Sequence, residues 1–284
     1  MKKETLLVSA HGGHSGQFCS HAADSLEEIV QLYIEKQFSW VGITEHTPTS
    51  SEALLYPEEI AAGLTPELLL DRFGEYMLEC RRLQNRYRNE IQIFAAMEIE
   101  TYSGYEQFVP YLIHRFQPDY IIGSVHFVND MSFDYSPSKY NSTVESVGGR
   151  DELYCLYFDQ QYEMIKLLKP SVIGHFDLIR IFDNEYKDRL LKPEIVQRIK
   201  RNLTLIKNLD LIMDFNLRSM AKGADEPYIS NSILKMAYEL EIAVVPGDDS
   251  HGLNSVGDFL AEGIEILTNL GFDTNWRKPK LLRY

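Results

Sequence analysis

IQIFAAMEIE, Ile91 to Glu100, is an apolar, β-rich run that stops on two carboxylates. From Ile91 to Met97 it suits a strand buried on both faces, as strands of a parallel sheet are. Glu98 falls where the strand ends, and a carboxylate at the end of an apolar run is rarely buried without a partner. The helical stretch YLIHRF, residues 111 to 116, comes next.

Six further runs of the same kind flank this one: Leu6 to Ala10, Trp40 to Thr44, Tyr120 to Val125, Ser171 to Gly174, Leu211 to Phe215 and Ala243 to Pro246. Amphipathic stretches lie between them, among them SLEEIVQLYIEKQ from Ser25, ELLLDRFGEYMLECRRLQNRY from Glu67 and NSILKMAYELE from Asn231. Asp24 or Ser25 is placed to cap the first. Such alternation is the pattern of βα units and a parallel sheet. No linker, repeat or low-complexity run divides the chain, so residues 1–284 are expected to form one α/β domain, a closed or nearly closed barrel. The stretches Thr47 to Pro66 and Asn129 to Arg150, rich in Ser, Pro, Glu, Asn and Gly, read as loops on the same side of that barrel.

A chain of 284 residues with 44% hydrophobic content can bury a core of this size. Its net charge of -14 argues against tracking a nucleic-acid backbone, which needs a surplus of Lys and Arg, but leaves a small anionic substrate open. No apolar run approaches the roughly 20 residues of a membrane-spanning helix, and the opening stretch is too short for a signal peptide. A cytoplasmic protein without membrane contact is expected. Cys19, Cys80 and Cys155 are far apart and odd in number, which favours reduced thiols. The sequence leaves the oligomeric state open.

The functional signal lies in the residues just after each strand, because loops at the C-terminal ends of barrel strands build active sites. His11, His14 and His21 come after the first run, and Glu45 with His46 after the second. Glu98 and Glu100 close the third, and His126 succeeds the fourth. His175 and Asp177 lie after the fifth, Asn216 and Arg218 after the sixth, and Asp248, Asp249 and His251 after the seventh. Seven of the eight histidines thus gather at one end, His114 being the exception. A single histidine at a strand end is as readily structural as functional. Seven with carboxylates among them would repel or stay unsatisfied without cations, and imidazole with carboxylate is a donor set for zinc, iron or manganese. Cys19 reads as a small buried filler, and Arg218 and Arg180 as candidates to clamp a phosphate through their planar guanidinium groups.

In this order the residues resemble the PHP superfamily, the polymerase and histidinol phosphatase domain. The Cys19-x-His21, Thr44-Glu45-His46 and Gly174-His175-x-Asp177-Leu178 segments look most like its monofunctional histidinol-phosphatase branch. The resemblance runs from Ser9 to His251. It implies a distorted (β/α)7 TIM-like barrel with three divalent ions at the C-terminal ends of the strands. One ion would be held by His11, His14, Glu98 and Asp249, a second by Glu98, His126 and His175, and a third by His21, His46 and His251. It also implies hydrolysis of a small phosphorylated metabolite, L-histidinol phosphate, to L-histidinol and phosphate in histidine biosynthesis. Adjacent ions would activate water and offset the phosphoryl charge, Arg218 and Arg180 would hold phosphate oxygens, and Asp249 or a metal-bound water would protonate the leaving oxygen.

One segment departs from the family. Where it usually reads H-x-H, this chain reads His11-Gly12-Gly13-His14, one residue longer. In a strand, residues two apart face the same way and residues three apart do not. Gly12 and Gly13 are expected to restore convergence through a bulge or a positive φ. Two rival readings stand beside the main one: a phosphoesterase of the same scaffold acting on another metabolite or nucleotide, and a metal-binding barrel without catalysis.

Overall fold

The computed structural model describes residues 5–284. Its strands are β1 (Leu7–Ser9), β2 (Phe38–His46), β3 (Gln92–Ile99), β4 (Ile121–Gly123), β5 (Phe127–Val128), β6 (Met131–Ser132), β7 (Val172–Ile173), β8 (Ile212–Asn216) and β9 (Ala243–Gly247). Seven of them form one parallel sheet in the order β1-β2-β3-β4-β7-β8-β9, each joined to the next through helical segments. Hydrogen bonds from Ala10 N to Pro246 O (2.8 Å) and from Asp249 N to His11 O (2.9 Å) bring the two edges together. The result is the nearly closed α/β barrel that the alternating pattern predicts, and each of the seven apolar runs supplies one of its strands.

Buried on both faces, the strands can be almost wholly apolar until their last residues. β2 and β3 extend further than their apolar runs, and their register sets His46 beside Glu98. Backbone pairing therefore places the first two donors of the cluster next to each other.

Local signals set the helices. Ser25, not Asp24, caps Leu26–Glu35, in a capping box with Glu28. Thr65 caps Pro66–Arg86, whose buried face carries Phe73, Tyr76 and Met77. From it the Tyr76 hydroxyl donates to Ile43 O (2.9 Å) and Ala96 O (2.6 Å), tying the helix to β2 and β3.

The stretch from Asn129 to Arg150 is mostly not a loop. β5 and β6 make a small antiparallel hairpin, and a helix spans Pro137–Val147. Ser136 caps that helix, Pro137 occupies its first turn, and Gly148 ends it with a left-handed φ of 93°. Those signals outweigh the polar composition that makes the segment look irregular. Between Thr47 and Pro66 the chain likewise forms a short turn of 3-10 helix at Glu52–Leu54 and a helix at Pro57–Ala61.

The C-terminal tail packs on the barrel, across the N-terminal ends of its strands. Trp276 Nε1 donates to Leu6 O (2.8 Å), Ser171 Oγ to Lys280 O (2.5 Å) and Leu282 N to Asp119 O (2.8 Å). Arg277 grips Asp210 through both its carboxylate and its carbonyl. Among the described residues, no helix is long and apolar enough to cross a membrane.

Candidate metal centre

The C-terminal ends of β1, β2, β4, β7 and β9 deliver their imidazoles to one place, and β3 delivers Glu98 among them. Ring centroids lie 4.5 Å apart for His14 and His251, 4.6 Å for His14 and His46, and 5.0 Å for His126 and His175. His11 closes the array, 5.6 Å from His175 and 6.0 Å from His14. His21 stands at its edge, 5.1 Å from His251, with Nε2 only 3.2 Å from Cys19 Sγ. His114 is exposed on its helix, away from the cluster.

Glu98 is the hub. Its Oε1 lies 2.7 Å from His175 Nε2 and 3.4 Å from His126 Nε2, and its Oε2 lies 3.2 Å from His11 Nε2 and 3.4 Å from His46 Nδ1. Burial alone would raise its pKa, but His11, His46 and His126 together hold it well below the usual carboxylate range. Asp249 is the second carboxylate, 3.3 Å from His14 Nε2 and 3.9 Å from His11 Nε2. Its φ of 45° is left-handed, uncommon for a residue with a side chain, and such backbone strain concentrates at functional sites. Against the effect of burial, His11, His14 and His251 keep it ionised. An ionised Asp249 has no proton to give a leaving group, so its electrostatics suit a ligand better than a general acid.

The long HGGH spacing does not keep His14 out. Neither glycine has a positive φ. The constraint is room: a Cβ on Gly12 would stand 2.3 Å from Gly42 O, and one on Gly13 would stand 2.8 Å from Ile29 Cγ2. Gly12 N donates to Gly42 O (2.9 Å) and His14 N to Ser250 O (2.7 Å), so the extra residue is absorbed by backbone pressed against β2 and the segment after β9.

A second layer orients the rings. Asp214 Oδ2 is 2.8 Å from His11 Nδ1, Glu45 Oε1 is 3.0 Å from His14 Nδ1, and the Asp249 carbonyl accepts from His251 Nδ1 at 2.9 Å. Each contact engages Nδ1 and leaves Nε2 facing the cluster, the second-sphere arrangement typical of metal-binding histidines. His251 is pushed well below the usual imidazole range by burial and by His14, so it is neutral, the form that ligates.

Among the described residues, His11 Nε2, His14 Nε2, His46 Nδ1, His126 Nδ1 and His175 Nδ1 are buried without a hydrogen-bond partner. Buried polar atoms are rarely left so. His126 Nε2 and His175 Nε2 also face each other at 3.2 Å beside Glu98 Oε1. Divalent cations fit this donor set. Donor atoms come within 4.8 Å of one another in the groups His11, His14, Asp249; His11, Glu98, His175; His14, His46, His251; and His46, Glu100, His126. Glu100, lowered to about 2 by His126 and His46 against the effect of burial, thus adds a carboxylate beyond the expected ligands.

Over the cluster lies a cavity of about 280 Å³. Arg218 lines it, with a buried Nε that lacks a hydrogen-bond partner, and Lys222 lines it one helical turn later. Arg180 does not. Its Nη2 donates to Glu226 O (2.9 Å) and Pro227 O (2.7 Å), its Nε faces Asp177 Oδ2 (3.2 Å), and its guanidinium stacks on Tyr186 and Tyr228. In this arrangement Arg180 braces the segment carrying Tyr228, whose ring lines the cavity.

Several placements are outside the reach of the strand-end pattern. Asp248 turns away from its neighbour Asp249 and accepts from Tyr33, Ser9 Oγ (2.6 Å) and Gly257 N (2.8 Å), a buried structural anchor. Asp177 is likewise buried, bonded to Ser230 and Arg180. Asp214 escapes that pattern because it sits inside the apolar run, although an acid in a strand two residues before Asn216, on the same face, is a usable signal. Lys222 carries no local signal at all.

Residues 12–217 match the family model of the PHP domain. A Schizosaccharomyces pombe protein described as a probable histidinol-phosphatase is 36% identical over 254 residues, 88% of this chain and 82% of that protein. The histidinol-phosphatase of Saccharomyces cerevisiae is 26% identical, over 88% of this chain and 85% of that one. Among solved structures, HisK of Listeria monocytogenes superposes with a TM-score of 0.80 at 26% identity, covering 90% of this chain and 99% of that one. HisK of Lactococcus lactis, solved with zinc, L-histidinol and phosphate, gives a TM-score of 0.72 over 98% of this chain and 99% of that one. At 16% identity that second likeness concerns the fold.

Proposed function

This chain belongs to the PHP domain family, and from that premise we propose that it is a metal-dependent phosphomonoesterase hydrolysing L-histidinol phosphate to L-histidinol and phosphate. The observation that carries the reading is the set of imidazoles converging on Glu98 and Asp249, five of them with a buried nitrogen unpartnered among the described residues, beneath a cavity lined by Arg218 and Lys222. Relatives named as histidinol-phosphatases supply the substrate.

The residues proposed to hold three divalent ions are His11, His14, Glu98 and Asp249; Glu98, His126 and His175; and His21, His46 and His251. Zinc, iron or manganese suits these donors. Bound there, such ions would activate water, offset charge on the phosphoryl oxygens and stabilise the leaving alkoxide. The protein's own part is positional. Asp214, Glu45 and the Asp249 carbonyl fix the tautomers of His11, His14 and His251. Arg218 offers a planar fork of donors to phosphate oxygens, and Lys222 adds a second positive charge on the same side.

The proposal extends to one domain over residues 1–284, supported by the single seven-stranded sheet, and to a cytoplasmic enzyme acting on a small metabolite, the net charge of -14 arguing against a nucleic-acid partner. A panel of phosphomonoesters tests the substrate. The expected result is the highest kcat/KM on L-histidinol phosphate, and robust turnover of other esters with none of this one would contradict it.

A further inference from the structure

The cavity has two unlike walls. Arg218 and Lys222, just after β8, make a cationic one, while residues around Tyr56 and Asp134, reached from β2 and β4, make the other. There the rings of Tyr56 and Tyr135 lie 6.2 Å apart. A phosphomonoester held at Arg218 and the cluster must turn its organic half towards this second wall.

Four carboxylates line the cavity: Glu98, Asp249, Glu58 and Asp134. The first two belong to the cluster. Glu58 leans towards the cluster, 3.8 Å from His21 Nδ1. Asp134 is different. It is half-buried, accepts a hydrogen bond from Ser132 Oγ (3.1 Å), and among the described residues forms no ion pair. A half-buried carboxylate beside a cavity and without a cation of its own is matched to a cation that arrives with the ligand.

Its placement is also fixed. The β5–β6 hairpin ends two residues earlier, and the intervening Phe133 is fully buried, donating through its backbone to His126 O (3.2 Å) and packing edge-on against Tyr157. Asp134 is thereby held at a set distance from His126, and so from the cluster.

We infer that Asp134 binds the ammonium group of the substrate and sets specificity for phosphomonoesters of amino alcohols. The inference rests on the phosphatase reading and deepens it. Phosphate at one wall and ammonium at the other fix the length and polarity of the accepted molecule, and an ester without the amine leaves Asp134 unpaired.

The test compares L-histidinol phosphate with its desamino analogue, imidazolylpropyl phosphate, on metal-loaded wild type and on Asp134→Asn. Wild type should favour the amine by about 10- to 100-fold in kcat/KM, the worth of a charge-assisted hydrogen bond, and the variant should bring that ratio close to one. A ratio unchanged in the folded variant, including one where both substrates slow equally, overturns the assignment. Inhibition of the wild type by the products needs no variant: L-histidinol should bind about 10-fold or more tighter than imidazolylpropanol. Equal inhibition would also overturn the inference. If wild type hydrolyses neither ester yet cleaves others, the functional reading fails and takes this inference with it, an outcome distinct from a flat ratio.

Discussion

At the C-terminal mouth of the barrel, seven imidazoles gather with Glu98, Glu100 and Asp249, and five of the rings hold a buried nitrogen without a hydrogen-bond partner among the described residues, whereas at the N-terminal mouth the tail closes the strand ends with hydrogen bonds. Both mouths are built from the same seven strands. At one end the polar groups are matched to each other, so the tail contributes to stability whatever is bound. At the other they are matched to a cation and an anion, so the site is complete only with ligands. The difference separates residues that hold the fold from residues that hold chemistry, even where they are neighbours, as Asp248 and Asp249 are.

Substitutions at the two mouths should therefore diverge. The largest effect is expected from Glu98→Gln, which removes the carboxylate shared by four histidines: kcat should fall by about 10³-fold or more, read as phosphate release from protein of unchanged fold. Retention of more than a tenth of the activity would break the hub assignment. Next comes Asp214→Asn, which frees His11 Nδ1 from its partner. Metal affinity or turnover should drop about 10- to 100-fold, measured by chelator competition.

A pH effect belongs to the same mouth. In chelated protein, hydrogen bonds donated by His14 to Asp249 and Glu45 lift its pKa to about 9 against the effect of burial. A group raised on folding contributes stability that is complete below its unfolded value, about 6.5, and is lost as pH rises through the folded one. The Tm of the chelated protein should therefore decline from about pH 6.5 to about 9. Restoring zinc or manganese should flatten the profile, because the ion takes the proton's place. A chelated profile that rises over this range would contradict the geometry around His14.

The smallest effect belongs to the other mouth. Trp276→Phe removes the hydrogen bond to Leu6 O and should cost about 1 kcal/mol in denaturant unfolding. Phosphate release per folded molecule should stay as it was, and a fall in kcat would mean that the two ends are coupled.

These contrasts also explain how much of the molecule is legible in its sequence. All seven strands are legible because a parallel strand buried on both faces is an apolar run, and Glu98 is legible because it ends one. The histidines are legible as a set through their position after those runs. Asp214 is hidden inside a run, and nothing local separates Asp248 from Asp249, since their roles depend on Tyr33 and Ser9, more than 200 residues away. The HGGH segment shows its problem of convergence in the sequence, but the solution, backbone pressed against Gly42 and Ile29, depends on tertiary packing. The contacts of Arg180 are hidden for the same reason: its partners, Glu226 and Pro227, come from a distant segment.

Metal analysis coupled to activity tests the central claim most directly. Chelated protein should release no phosphate from L-histidinol phosphate, and reconstitution with zinc, iron or manganese should restore turnover as the bound metal approaches three equivalents per chain. Protein that binds no more than one equivalent after reconstitution, or that turns over the ester equally well when stripped, would contradict it.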